Sequence, residues 1–300
     1  MYLLGSELRH RFANFAGVLR AEVSMAPMTH LRVGGAAEFL FEPHTEEGVG
    51  QVVRAATELG QPLHVLGGGS NVLVPTEGLR GLVLSLSQLN RVMRDENRIT
   101  AGAGVTLPSL IRGTKDLGLA GLELLIGVPA VVGGAVAMNA GTHDTQTFEH
   151  LVSIVAVDQA GDLEIIGRDG MSPSYRDGGL GGKVVVGATF ALHEDDPKAI
   201  FKRMETSLKR RNATQPVTEK CVGCVFKNPE GDAAGRLIEA AGCKTLRRGQ
   251  MVVSGKHANY FVNEGGATSQ DFLDLIRDVQ DRVRSEFDIH LHPEVRIWGQ

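Results

Sequence analysis

Cysteine is scarce in this 300-residue chain: there are three, Cys221, Cys224 and Cys243. So few thiols over such a length make no disulfide framework and suit a reducing compartment. No stretch reaches ~18 consecutive apolar residues and the N-terminus has no long apolar run, so neither a membrane span nor a signal peptide is expected. The expectation is a cytoplasmic protein. Excess positive charge is absent too: 31 Lys and Arg against 35 Asp and Glu give a net charge of −4 and a pI near 6.2. The basic residues are dispersed apart from Lys209-Arg210-Arg211 and Arg247-Arg248. No nucleic-acid-binding motif accompanies them, so no nucleic-acid partner is expected. Both common nucleotide fingerprints are also missing. There is no G-x-x-x-x-G-K-[ST], and Gly67-x-Gly69 lacks the later glycine of G-x-G-x-x-G. A nucleotide bound here needs another kind of fold.

What is present is glycine, 38 residues of 300 or about 13%, against a usual ~7%. The glycines cluster in short motifs rather than repeats, so they read as turns that cradle a ligand. The first motif is Leu66-Gly67-Gly68-Gly69-Ser70-Asn71-Val72-Leu73-Val74. Three bare residues in one turn let the backbone reach positive φ and come close to a ligand. Their N–H groups would form an anion-binding nest suited to a pyrophosphate. A plain glycine-rich hairpin is the competing reading. The second motif runs from Gly127 through Gly133-Gly134 to Asn139-Ala140-Gly141, and a buried helix of small residues explains it equally well.

With 42% hydrophobic residues the chain can bury the core of two or three domains. Residues 1–28 carry little pattern beyond a possible amphipathic helix from Ser6 to Ala16. A strand at Glu38–Phe41 leads to a helix capped by Thr45, with Val49, Val52, Val53, Ala56 and Leu59 on one face. With Leu63–Leu66 these make a βαβ crossover, which builds a parallel pair and puts the glycine loop where ligands collect. Strands follow at Leu82–Leu86 and Arg98–Ala103. Thr106 then caps a helix whose inward residues are Leu107, Leu110, Ile111 and Leu117. Further strands are predicted at Val152–Val157, Leu163–Ile166 and Val184–Leu192. Asp195-Asp196-Pro197 mark a boundary before a helix from Ala199 to Arg211. The last hundred residues mix a helix at Ala233–Ala241, strands near Val252 and Tyr260–Val262, and a helix from Thr268 or Ser269. On that last helix Phe272, Ile276, Val279, Val283 and Phe287 form the apolar face. Such mixing suggests a small α+β domain.

The motif Leu66-Gly67-Gly68-Gly69-Ser70-Asn71 resembles the flavin-pyrophosphate loop of the vanillyl-alcohol-oxidase (PCMH) type of FAD-binding fold. With Gly127-Val128-Pro129, Gly133-Gly134-Ala135-Val136, Met138-Asn139-Ala140-Gly141, Tyr175-Arg176, Gly223-Cys224-Val225-Phe226-Lys227-Asn228-Pro229 and Pro293-Glu294-Val295-Arg296, the chain resembles one family over about Thr29 to Gly299. That family is the UDP-N-acetylenolpyruvoylglucosamine reductases of peptidoglycan precursor synthesis. The resemblance implies an α+β protein of two FAD-binding subdomains, 1–90 and 91–196, and a C-terminal α+β substrate domain, 197–300. It implies non-covalent FAD held by Gly67, Gly68, Gly69, Ser70, Asn71, Gly133, Gly134, Asn139 and Gly141. It also implies that NADPH reduces the flavin, which then passes hydride to C3 of the enolpyruvyl group while C2 is protonated. Such chemistry needs one group to stabilise developing negative charge and one acid. The resemblance assigns these tasks to Arg176, Cys224 and Glu294, with Tyr175, Lys227, Asn228 and His257 toward the UDP-sugar.

Each residue has a plainer alternative. Arg176 could pair with Asp177 on the surface, and Glu294 with Arg296 on a strand face. The family usually has serine where this chain has Cys224, and a thiol, which ionises near pH ~8.5 in water, is a stronger acid than a hydroxyl. Cys221-x-x-Cys224 also reads as a redox pair or half a zinc site, for which Cys243 and His257 are the only obvious candidates as further ligands; no metal is expected. Pro129-Ala130-Val131 stands where the family tends to have glycine and a hydroxyl residue. No room exists between Val186 and Thr214 for the tyrosine-bearing loop that divides the family, which makes this the shorter form. The rival readings are another flavoenzyme on the same fold and a flavin-binding sensor or scaffold.

Overall fold

A computed structural model describes residues 10–299 of the chain. The helix expected from Ser6 lies partly outside them, and within them residues 10–12 are helical. The chain forms two compact units. The first comprises Met1–Glu22, Phe39–Gly68 and Gly81–Leu208; the second comprises Val23–Glu38, Gly69–Arg80 and Lys209–Gln300. The expected 1–90 and 91–196 domains supply most of the first unit. Residues 23–38 and 69–80 join the C-terminal stretch in the second.

The chain opens with β1 (Gly17–Ser24), β2 (Ala36–Pro43), β3 (Leu63–Leu66), β4 (Val72–Leu73) and β5 (Leu79–Ser85). Four of these form a sheet of order β1-β2-β5-β3. Between β2 and β3 runs the helix Glu46–Glu58. Its cap is Thr45, whose hydroxyl accepts from Gly48 N at 3.1 Å, with Glu46 and Glu47 in the positive first turn. The expected crossover is corrected in one respect. β2 and β3 share the sheet but are not neighbours, because β5 lies between them, and the parallel hydrogen-bonded pair is β3 with β5. The strand β1 arises where no pattern was read. Leu19, Ala21 and Val23 line its half-buried side, but Val18 on the exposed side blurs the alternation.

The second sheet of this unit is antiparallel throughout. Its strands are β6 (Val92–Asp95), β7 (Arg98–Gly102), β9 (Leu151–Val157), β10 (Leu163–Gly167) and β11 (Val184–Ala191), in the order β10-β9-β11-β7-β6. The short β8 (Leu119–Ala120) pairs with β12 (His193–Glu194). The helix Leu107–Asp116 buries Leu107, Leu110 and Ile111 against this sheet's core. Leu117 is a correction: the helix ends at Asp116, so this residue leaves the apolar face and is 47% exposed.

One charged cluster fastens this unit. Arg203, on the helix Pro197–Thr214, donates to Glu123 Oε1 at 2.8 Å and to Asp195 Oδ2 at 2.7 Å. Glu123 is buried and also accepts from Gly121 N at 2.6 Å. Burial raises its pKa, but the bonds from Gly121, its own backbone and Arg203 outweigh that and hold it below the usual carboxylate value.

The second unit holds a sheet of β13 (Cys221–Cys224), β14 (Arg247–Arg248), β15 (Met251–Val253) and β16 (Tyr260–Asn263), in the order β13-β16-β15-β14. The helix Ser269–Phe287 buries Phe272, Leu275, Ile276, Val279 and Val283 in a core with Phe226, Phe261 and Leu31. Thr268 and Asp271 close a capping box, and Thr76 and Ser269 exchange two hydrogen bonds at 2.8 and 2.9 Å. Finally β17 (Arg296–Ile297) runs parallel to β4, pairing Arg296 with Val72 and Ile297 with Leu73. Among the described residues no helix is long and apolar enough to cross a membrane.

Replacing Arg203 by methionine should destabilise the protein by about 2–3 kcal/mol at pH 7. That is below the ~3–5 of a fully buried pair, since the Arg203 side chain is 37% exposed. Because Glu123 is depressed in the folded chain, its contribution is present above the unfolded pKa and fades as pH falls through the folded one. Urea unfolding of both proteins should therefore show the difference shrinking on acidification; a gap that widens below pH 4 would contradict this.

Candidate active site

In the first unit β3 runs out into Gly67 and Gly68, which meet the second glycine-rich segment. A Cβ on Gly67 would come within 3.1 Å of Val131 Cγ2 and 3.8 Å of Gly134 Cα; one on Gly68 would sit 3.6 Å from Val131 N and 3.7 Å from Pro129 O. The two motifs thus place bare backbone side by side around Val131. The second segment is held by backbone bonds from Leu107 N to Ala130 O and from Val132 N to Val105 O, each 2.8 Å, and from Gly133 N to Ala103 O at 2.9 Å. Only Val132–Ala137 is helical, six residues of the expected small-residue helix. Gly133 is bare for packing, since its Cβ would fall 2.8 Å from Ala103 Cβ; Gly141 faces Thr145 O at the same distance.

Asn139 is 4% exposed, with φ at +40°. Its amide donates to Gln146 Oε1 at 2.8 Å and to Ser174 O at 3.2 Å, and its carbonyl accepts from Phe148 N at 3.4 Å. Ser174 opens a tight turn in which Ser174 N donates to Asp177 O at 2.8 Å and Asp177 N to Ser174 O at 3.2 Å. Tyr175 and Arg176 form the tip. Arg176 takes φ +59°, a conformation that costs ~1 kcal/mol or more for a side chain with Cβ. Its guanidinium carbon lies 4.9 Å from the centre of the Tyr175 ring. Asp177 Oδ1 accepts from Gly179 N at 2.9 Å, closing its own loop.

Gly69, Ser70 and Asn71 belong to the second unit. Gly69 has φ +64° and its Cβ would fall 2.1 Å from Met28 O, so no other residue fits; its carbonyl accepts from His30 N at 2.9 Å. Asn71 donates to Glu294 O at 3.3 Å and accepts at its backbone oxygen from Arg296 N at 3.1 Å. The segment carrying Glu294 is also clipped to the one after β13. Glu294 N donates to Val225 O at 2.7 Å, Lys227 N to His292 O at 2.9 Å, and Phe226 faces Pro293. Cys224 and Glu294 are thereby placed on adjacent backbone segments.

The clamp beneath them is Asn259, a residue that the sequence patterns do not single out. It is 2% exposed. Its Oδ1 accepts from Phe226 N at 2.9 Å and its Nδ2 donates to Phe226 O at 2.8 Å, while its own carbonyl accepts from Val225 N at 2.8 Å. Asn228 Oδ1 accepts from Ala234 N at 3.0 Å, so this side chain already fastens the start of the helix Ala234–Ala240. His257 Nδ1 accepts from Asn259 N at 3.2 Å. Burial lowers the His257 pKa, which favours the neutral ring. Lys227 is half-buried.

The glycine-lined segments suit a nucleotide-diphosphate cofactor, and the relatives of this chain define its class as the FAD-binding oxidoreductases. A family model described as FAD binding domain matches residues 37–167, and one described as UDP-N-acetylenolpyruvoylglucosamine reductase, C-terminal domain, matches 215–298. The reductase of Geobacter metallireducens is 40% identical over 295 residues, covering 96% of this chain and 98% of that one. That of Moorella thermoacetica is 40% identical over 273 residues, covering 91% and 90%. The crystal structure of the Thermus caldophilus reductase is similar with a TM-score of 0.79 at 35% identity, covering 94% of this chain and 98% of that one. A berberine bridge enzyme variant, TM-score 0.51 at 16% identity over 64% of this chain and 44% of that one, shares the fold. The chain belongs to the UDP-N-acetylenolpyruvoylglucosamine reductase family.

The residues present fit FAD. Gly67, Gly68 and Gly134 leave backbone bare where side chains would otherwise fill the space around Val131. Such bare N–H-bearing backbone is what a pyrophosphate requires.

If Asn259 fixes the segment after β13, Asn259→Ala orphans a buried donor and a buried acceptor on Phe226. That should cost about 2–4 kcal/mol. Urea unfolding tests it, and a loss below 1 kcal/mol would remove Asn259 from this role.

Proposed function

We propose that this chain is an FAD-dependent reductase that takes electrons from NADPH and reduces the enolpyruvyl group of UDP-N-acetylglucosamine enolpyruvate to give UDP-N-acetylmuramate, in the cytoplasm. Family membership supports the FAD-dependent reductase activity in peptidoglycan precursor synthesis. The observation that supports the residue assignments is the 2.7 Å bond from Glu294 N to Val225 O, which pairs the backbone of Glu294 with the residue that follows Cys224. Three free cysteines suit a reducing compartment.

Bound FAD supplies a two-electron carrier that is loaded from the nicotinamide and delivers hydride to C3. Everything else falls to side chains. Hydride arriving at C3 pushes negative charge toward C2 and the carboxylate conjugated to it. Arg176, with its rigid fork of donors, binds that carboxylate, and the strained turn under it holds the fork in one direction. Cys224 gives the proton to C2. A carboxyl group next to gathering negative charge helps only if it carries a proton, so Glu294 is assigned as a hydrogen-bond donor to the carboxylate. Tyr175, Lys227 and His257 are assigned to the UDP-sugar, with Lys227 at its diphosphate. Asn228 and Asn139 serve the reaction through the segments they fasten.

Acid precipitation should release the yellow colour into the supernatant; colour kept in the pellet would contradict non-covalent FAD. Glu294→Ala, which removes the donor, should slow flavin reoxidation by substrate roughly a hundredfold to a thousandfold while leaving reduction by NADPH unchanged. Stopped-flow absorbance of both half-reactions decides it, and equal losses in the two would remove Glu294 from the proposed role.

A further inference from the structure

β13 and β16 pair with Cys221 opposite Val262 and Cys224 opposite Tyr260. Three steps along one strand match two along the other, so one extra residue is bulged out between the cysteines, and Gly223 takes φ +82°. Val262 and Tyr260 share a strand face, and the bulge turns both cysteines to that same face. Tyr260 is 4% exposed and its side chain is hydrogen-bonded to that of Cys224. Its ring packs edge-on against His257, centroids 4.9 Å apart. The other groups facing the pair are Cys221 and Arg211, with Glu294 on the segment bonded to Val225. Burial first, then the neighbouring Cys224, drive the Tyr260 pKa far up, so the phenol keeps its proton and is the donor.

We propose that Tyr260 is the positioning residue of the proton-transfer step, its O–H orienting the Cys224 thiol and stabilising the charge left on sulfur. This rests on Cys224 being the acid. In the step the S–H bond breaks, the proton forms a C–H bond at C2, and the electron pair stays on sulfur. The phenol O–H then donates to that thiolate, and water later returns a proton to it. A hydrogen bond to a charged group is worth roughly tenfold to a hundredfold in such an equilibrium, enough to offset the reluctance of a half-buried thiol to ionise. Cys221 shows that reluctance, since burial raises its pKa.

The test uses FAD-loaded enzyme carrying Cys221→Ser, with and without Tyr260→Phe, which keeps the ring and removes the donor. Alkylation of Cys224 by iodoacetamide is followed against pH, with the modified peptide identified by mass. The midpoint for thiolate formation should rise by about one to two pH units in Tyr260→Phe. Reoxidation by substrate should slow roughly tenfold to a hundredfold, with reduction by NADPH and the melting temperature unchanged. In a Cys224→Ala background Tyr260→Phe should cost nothing further. An unmoved midpoint, or the same loss in that background, overturns the proposal. A moved midpoint with Cys224→Ala reoxidising at the parent rate instead overturns the acid role of Cys224 and leaves the thiol–phenol pair standing.

Discussion

The path of the chain after β13 depends on one buried amide. Asn259 pairs through both its side-chain atoms with the backbone of Phe226, at 2.9 and 2.8 Å, as a neighbouring strand would. The chain after β13 needs such a partner because it leaves the sheet while still buried, and a buried N–H or C=O without a partner is costly. With Phe226 satisfied on one side, its neighbours are free to pair on the other with His292 and Glu294. Three segments that sequence keeps apart, those carrying Cys224, Glu294 and the glycine-loop residue Asn71, thus become neighbours through bonds to their backbones. The first unit uses the same device. Buried Asn139 bonds Ser174 O and stabilises a turn whose tip, Arg176, holds an unfavourable backbone conformation.

Helices were the legible part of the chain. Thr45, Thr106 and Thr268 cap where the pattern places them, since a cap and an apolar face are both local signals. Strand adjacency was not. Nothing between Glu38 and Leu66 announces that β5 will slip between β2 and β3, because pairing partners are chosen by tertiary packing. The union of β17 with β4, more than two hundred residues apart, lies equally beyond periodicity. Leu117 illustrates a smaller limit: apolar spacing continued one residue past the point where the helix stops.

The site was legible as a set of motifs and much less so as a set of roles. Gly69, Asn139 and Asn228 stood out as ligand contacts, yet each has a geometric task visible in the fold. Gly69 lies against Met28 O, Asn139 clamps Ser174, and Asn228 fastens Ala234. Motifs mark positions where substitution is difficult, and close packing makes it as difficult as ligand contact does. Asn259 went unread for the complementary reason: an asparagine between apolar residues has no local pattern until its partner at Phe226, 33 residues away, is known.

Cys224 and Tyr260 are best understood together. Either acid leaves an anion behind once its proton has gone, an alkoxide from serine or a thiolate from cysteine, and it is this product charge that a phenol across the strand pair can stabilise. The thiolate is the weaker base of the two, and burial raises the cost of forming it. The phenol that packs against His257 is therefore matched to the sulfur across the strand pair, and the bulge at Gly223 is what turns the two toward each other. On this view the departure from serine is a change of acid that brings its own hydrogen-bond donor, and its acidity is set by two strands rather than by one residue.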